Sequence, residues 1–252
     1  MPYFEKYNIL FIHIPKNAGM FIEKVFGIPQ NIVSYKKPKH DRSTVSILFR
    51  TFKNTVDLLR YFYYKNDKNK INPQLLYKFN KSLCKKYLYG TIGGLYHYQH
   101  ASLWEIVNYK LIDRSVLDKS IILAVHRNPV DRLISIYKYW GFHEKMDFEE
   151  FCEKYVKNRK NALNNFGFLM HLKTQWSFVS GVPPYTERVE WIKFENLDKE
   201  LKDFIRRHGL DISIPNDRVN TSEHIQVTIT GKAKEIIYEE YKEDFVNFGY
   251  EI

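Results

Sequence analysis

Three short stretches of the sequence carry side chains suited to holding and moving an anionic group. The first is Ile14-Pro15-Lys16-Asn17-Ala18-Gly19-Met20, which follows an apolar run and precedes a helical one. Where a buried strand gives way to a helix, backbone N–H groups can meet phosphate oxygens, and Lys16 adds a mobile positive charge. The lysine precedes the glycine and GxxxxGK[ST] is absent, which argues against a nucleoside triphosphatase or kinase loop. The second stretch runs from His126 to Ser135. Arg127 stands at the mouth of a helix whose core face is predicted to hold Val130, Leu133, Ile134 and Tyr137, so Arg132 and Ser135 project from its other side. Arg127 and Ser135 can then close on one phosphate, the guanidinium with paired donors and the hydroxyl with another. The alternative is an Arg127 paired with an acid and a Ser135 facing solvent.

The third stretch is His97-Tyr98-Gln99-His100-Ala101-Ser102-Leu103-Trp104-Glu105. Ser102 and Glu105 have the spacing of a capping box, which starts a helix at Ser102 and leaves His100 on the preceding loop. An imidazole with an ordinary pKa of about 6.5 can take a proton from a hydroxyl near neutral pH. His97 is the second candidate for that base, a purely structural histidine is the plain alternative, and His13 is expected to pack at a strand end.

These residues need a scaffold that delivers them to one place. Tyr7 to Ile14 is a β-branched apolar run ending at Pro15, and Phe21, Ile22, Val25 and Phe26 follow at helical spacing. Ile121 to Val125 is a second such strand, after which Asn128 can N-cap a helix with Pro129 in its first position. Two strand-loop-helix units predict a parallel sheet with helices on both faces. Helices are also predicted over 45–59, from Asn72-Pro73 onward, over 148–155, over 166–178 and over 232–248, with a short strand over 188–194.

With 252 residues and 44% hydrophobic content, one α/β domain is expected. No apolar run is long enough to span a bilayer and no signal-peptide order is visible, so the chain reads as cytoplasmic. Cys84 and Cys152 stand far apart, and no Cys/His cluster, HExxH or D-x-[DN]-x-[DN]-G pattern indicates a metal. The formal charge of +10 favours an anionic partner. Tyr61 to Tyr64 beside lysines could suit a nucleic acid, but packing a helix or lining a cleft accounts for them better.

The motifs and their order resemble the PAPS-dependent sulfotransferases, in the branch that includes carbohydrate sulfotransferases; PAPS is 3′-phosphoadenosine 5′-phosphosulfate. The family has a His-Ile-Pro-Lys-Thr-Gly-Gly-Thr-like loop and then Arg-(Asn/Asp)-Pro-x-(Asp/Glu)-Arg-x-x-Ser-x-Tyr. Here the first is His13 to Met20 and the second is complete from Arg127 to Tyr137. Phe194-Glu195-Asn196-Leu197 and the stretch from Tyr241 to Tyr250 look like the same branch. The resemblance implies a P-loop-NTPase-like parallel sheet flanked by helices, in one domain over 1–252 with a helical insertion at about 42–89. It implies that Lys16, Asn17, Ala18, Gly19 and Met20 hold the 5′-phosphosulfate, and that Arg127 and Ser135 hold the 3′-phosphate. Transfer is then in line to an acceptor hydroxyl, most simply on a carbohydrate, with His100 as base, Lys16 beside the leaving phosphate, and neither a metal nor a nucleic acid involved. Met20 replaces a threonine of the family pattern, a lost hydrogen bond worth about 1.5–3 kcal/mol. That leaves open a second reading, a catalytically weak or inactive nucleotide- or glycan-binding module.

Overall fold

The two apolar runs become the centre of a four-stranded sheet in the computed structural model, which describes residues 2–27, 99–108, 110–159, 166–215 and 226–251. Across the sheet lie β1 (Tyr3–Phe4), β2 (Ile9–Ile12), β3 (Ile121–His126) and β4 (Val189–Lys193). β2, β3 and β4 run parallel, Ile9 opposite Ile121 and Ile122 opposite Val189, while β1 is an antiparallel edge of two residues, too short for a readable pattern. β2 starts later than its apolar run suggests, because Glu5–Tyr7 form a 3₁₀ turn and Asn8 adopts φ 53°. The predicted insertion at about 42–89, the runner-up His97 and Cys84 lie outside the described residues.

The helices are α1 (Gly19–Val25), α2 (Leu103–Asn108), α3 (Arg114–Leu117), α4 (Pro129–Tyr139), α5 (Phe148–Phe151), α6 (Phe166–Leu172), α7 (Leu197–Arg207) and α8 (Gly231–Phe248). Alternate residues of the parallel strands face opposite ways. Leu10, Ile12, Ile122 and Ala124 pack with Leu103 and Ile106 of α2 and Met170 of α6. Ile9, Phe11, Leu123 and Val125 pack on the other side with Phe21 and Ile22 of α1 and Leu201 and Phe204 of α7. A third cluster joins α4, α5, α6 and α8 through Leu133, Ile136, Phe151, Phe168 and Ile237. Among the described residues, no helix is long and apolar enough to cross a membrane.

Local signals set several boundaries. Asn128 Oδ1 accepts from Val130 N at 2.9 Å at the start of α4, with Pro129 in its first position. The capping box forms at α2: Ser102 N–H donates to Glu105 Oε2 at 2.9 Å, and Glu105 N–H to Ser102 Oγ at 3.3 Å. Two readings are corrected. α4 buries Arg132 and Ile136 along with Leu133 and Tyr137, leaving Val130 and Ile134 only partly covered, so Arg132 faces inward. The helix predicted over 166–178 stops at Leu172 and resumes only as a 3₁₀ turn over Trp176–Phe178. The carbonyls of His171 and Lys173 are taken by Arg132 at 2.9 Å each, and the N–H groups of Gln175 and Trp176 by the Asp244 carboxylate at 2.8 Å each. Side chains have captured the groups that a continuous helix would pair with itself.

Candidate active site

Parallel strands end on the same edge of a sheet, and ligands bind beyond that edge. Here the loops after β2, β3 and β4 surround a cavity of about 660 Å³. Lys16 and Ala18 line it from the first loop, Gly19 and Met20 from the start of α1, Arg127 and Ser135 from the second loop and α4, and Phe194 from the third loop. Lys16 and Ala18 both take left-handed backbone angles, φ 68° and 57°. This alternation curls the chain into a concave nest of the kind that accepts anions. Non-glycine residues at such angles carry strain, which tends to gather at functional sites.

The second loop touches the first directly. Arg127 Nη1 donates to Lys16 O at 3.2 Å, and its guanidinium lies 4.1 Å from the centre of the Phe194 ring. Arg127 Nε is buried without a partner, a donor that suits a phosphate oxygen. The start of α4 offers such an oxygen little. Asn128 N–H goes to Glu195 Oε1 at 2.8 Å, Val130 and Asp131 N–H groups go to Asn128 Oδ1, and Pro129 has none. An anion at the start of α4 would be met by side chains, among which Arg127 and Ser135 line the cavity, and not by these N–H groups. Tyr250 OH donates to Glu195 Oε2 at 2.8 Å and lies 2.9 Å from His126 Nδ1, which ties together three of the stretches singled out in the sequence. Burial lowers the His126 imidazole to about 4.

Asn17 and Arg132 stand apart from the cavity. Asn17 is 1% exposed and turns inward, its Nδ2 donating to Val125 O at 2.7 Å and Gln175 Oε1 at 2.6 Å. Its side chain is therefore a support for the loop and not part of the cavity wall. Arg132, 0% exposed, donates through Nε to Pro15 O at 3.0 Å as well as to His171 O and Lys173 O. It clamps the start of the Lys16 loop to the segment after α6.

His13, His100 and His171 also line the cavity. His100 Nδ1 donates to His13 O at 2.8 Å. A carbonyl only accepts, so this bond places the proton on Nδ1 and leaves the lone pair on Nε2. Burial, then the neighbouring His13 and His171, hold the ring well below its ordinary range, hence neutral. His171 is fixed in the same way by Gly167 O at 2.7 Å, and burial lowers it to about 4; its ring centre is 5.8 Å from that of His100. His13 donates to Glu23 Oε1 at 2.6 Å, and Gln99 Nε2 donates to the same oxygen at 2.9 Å. Burial alone would raise the Glu23 carboxyl, but the His13 and Gln99 contacts outweigh it and hold it low. Lys16 Nζ sits 4.1 Å from the centre of the Tyr139 ring. Burial, with Arg127 adding to it, lowers the Lys16 ammonium to about 8.

A model described as the sulfotransferase family matches residues 2–251. The chain belongs to the sulfotransferase family. No curated protein and no solved structure matches it. Membership makes the chain one of a family of sulfuryl-transferring enzymes, built on a mixed α/β fold with a mostly parallel sheet.

In this sulfotransferase-family chain, the His13 ring occupies the place a side chain at position 19 would need. A Cβ on Gly19 would meet His13 Nε2 at 2.0 Å. We expect Gly19→Ala to cost about 1–3 kcal/mol of stability, read as a lower urea midpoint at unchanged slope, by forcing the His13 ring off Glu23. The sequence alone does not single out His171 or Gln175, and it marks Asp244 only as part of the Tyr241–Tyr250 stretch. Gln175 and Asp244 carry no local signal for their contacts, since the partners lie 48 and 69 positions away along the chain.

Proposed function

We propose that this chain transfers a sulfuryl group from PAPS to an acceptor hydroxyl, with a carbohydrate as the acceptor class. The observation that supports the reading best is that Lys16, Arg127, Ser135 and His100 line one cavity. The residues fit the donor: a lysine in a curled loop suits the phosphosulfate end, and a buried arginine with an unpartnered Nε suits the 3′-phosphate end. His100 Nε2 accepts the acceptor proton as the acceptor oxygen bonds to sulfur and the bond from sulfur to the 5′-phosphate oxygen breaks. Lys16 neutralises the charge that develops on the departing phosphate. Positioning and electrostatics carry such a transfer, as in phosphoryl transfer. The basic surface and the family resemblance favour a sugar hydroxyl, an acidic glycan included.

The test is incubation with labelled PAPS and a panel of glycans, with transfer followed by label incorporation. Binding of adenosine 3′,5′-bisphosphate without transfer to any acceptor would favour the inactive-module reading. With an active acceptor in hand, kcat/KM for PAPS should fall as pH rises through about 8, where Lys16 loses its proton. His100, already neutral below its ordinary range, should add no acid limb near pH 6.5. Lys16→Arg should move the alkaline limb upward, because a guanidinium stays charged. An alkaline limb unmoved by that change would assign it to another group.

A further inference from the structure

We propose that Gln175 is a positioning residue that sets selectivity for the 3′-phosphate, by holding the Arg127 backbone in register with the Lys16 loop. The proposal rests on the donor reading above and adds a residue to it. Gln175 is 0% exposed, on the segment that follows α6. Its Oε1 accepts from Arg127 N at 2.8 Å and its Nε2 donates to Arg127 O at 2.8 Å. The side-chain amide thus pairs with both backbone groups of Arg127, as a neighbouring strand would, one residue beyond the end of β3. The same Oε1 accepts from Asn17 Nδ2 at 2.6 Å, so one oxygen joins the residue after Lys16 to the residue that faces the 3′-phosphate.

The amide has only one workable orientation. Two donors, Arg127 N–H and Asn17 Nδ2, face Oε1, and two acceptors, Arg127 O and Asp244 Oδ2 at 3.3 Å, face Nε2. Rotating it by half a turn would set donor against donor and acceptor against acceptor. Asp244 also holds Gln175 N–H at 2.8 Å, which anchors the residue to α8. Among the described residues the Arg127 guanidinium bonds to Lys16 O, lies on the Phe194 ring and feels the Asp131 and Glu195 carboxylates, and where it can reach is set by where its backbone is held. Bidentate recognition of phosphate tolerates little displacement. Loss of Gln175 should therefore weaken the 3′ contact while Lys16 and its curled loop still hold the 5′ end.

The experiment is calorimetric titration of wild type, Gln175→Glu and Gln175→Leu with adenosine 3′,5′-bisphosphate and with adenosine 5′-monophosphate. Wild type should prefer the bisphosphate by about ten- to a hundredfold. In Gln175→Leu the preference should fall to within about threefold of unity, with the monophosphate Kd nearly unchanged. Gln175→Glu keeps the size of the side chain but loses the donor to Arg127 O, so it serves if the leucine variant does not fold, and its preference should also fall. Equal weakening of both nucleotides, or a wild-type preference that survives in a folded variant, overturns the proposal alone. A wild type that binds neither nucleotide overturns the donor reading and the proposal with it.

Discussion

His100→Ala should lower the rate of sulfuryl transfer by about 10²–10⁴-fold, the usual contribution of a positioned general base, while the Kd for adenosine 3′,5′-bisphosphate stays within about twofold. The split follows from the geometry. His100 lies on the loop before α2, on a different element from Arg127 and Ser135, and its ring bonds to the His13 backbone. Burial keeps the ring neutral and that bond puts its one proton on Nδ1, so Nε2 carries the lone pair that accepts a proton. Single-turnover transfer rates, with nucleotide affinity measured by calorimetry, check it. A variant that retains more than about a tenth of the wild-type rate would move the base elsewhere, with His171 and His97 the next residues to replace. His171→Ala is the informative control, since it removes a neighbouring neutral imidazole without touching the His100–His13 bond.

Arg132→Leu should cost about 3–5 kcal/mol of folding stability, the largest loss expected of any single change here. Its guanidinium is buried among Pro15 O, His171 O and Lys173 O, and burial lowers its pKa from the usual arginine value. Leucine fills much of the space but leaves three carbonyls without a donor, each a cost of about 1–3 kcal/mol before the segment relaxes. Arg132→Lys should recover only part of the loss, because one ammonium cannot reproduce the planar fork that reaches three separate backbone oxygens. Chemical denaturation with the slope held constant reads both numbers. A loss below about 1 kcal/mol for Arg132→Leu would show that the carbonyls find other partners, and the clamp on the Lys16 loop would then be unnecessary.

The residues proposed to bind and react were easier to read than those that hold them. Lys16, Arg127, Ser135 and His100 sit in short local patterns, and the structure brings all four to one cavity. Asn17 belonged to the same pattern, yet its side chain supports the loop from behind, because a buried carbonyl at Val125 and the Gln175 amide claim both of its N–H protons. Arg132 lay within the most legible motif, and its direction was still misread. Apolar spacing placed the core face on Val130 and Ile134, whereas α4 is rotated to bury Ile136 and Arg132 as well. A helix packed on more than one side buries more than one stripe, and a buried arginine satisfied by carbonyls leaves no apolar signature.

What the sequence alone determined is what neighbouring residues decide among themselves. The two apolar strands, the Asn128-Pro129 start, the Ser102–Glu105 capping box and the charged loops after each strand all depend on side chains a few positions apart. What only the tertiary structure decided is where the chain pairs with distant parts of itself. The Arg132 bond to Pro15 spans 117 positions, the Asp244 bond to Gln175 spans 69, and the break after Leu172 follows from such bonds. Local propensity would carry α6 onward through Gln175. Once a buried carboxylate and a buried guanidinium, costly to leave unpaired, claim the backbone groups there, the helix ends and Gln175 is free to reach both loops.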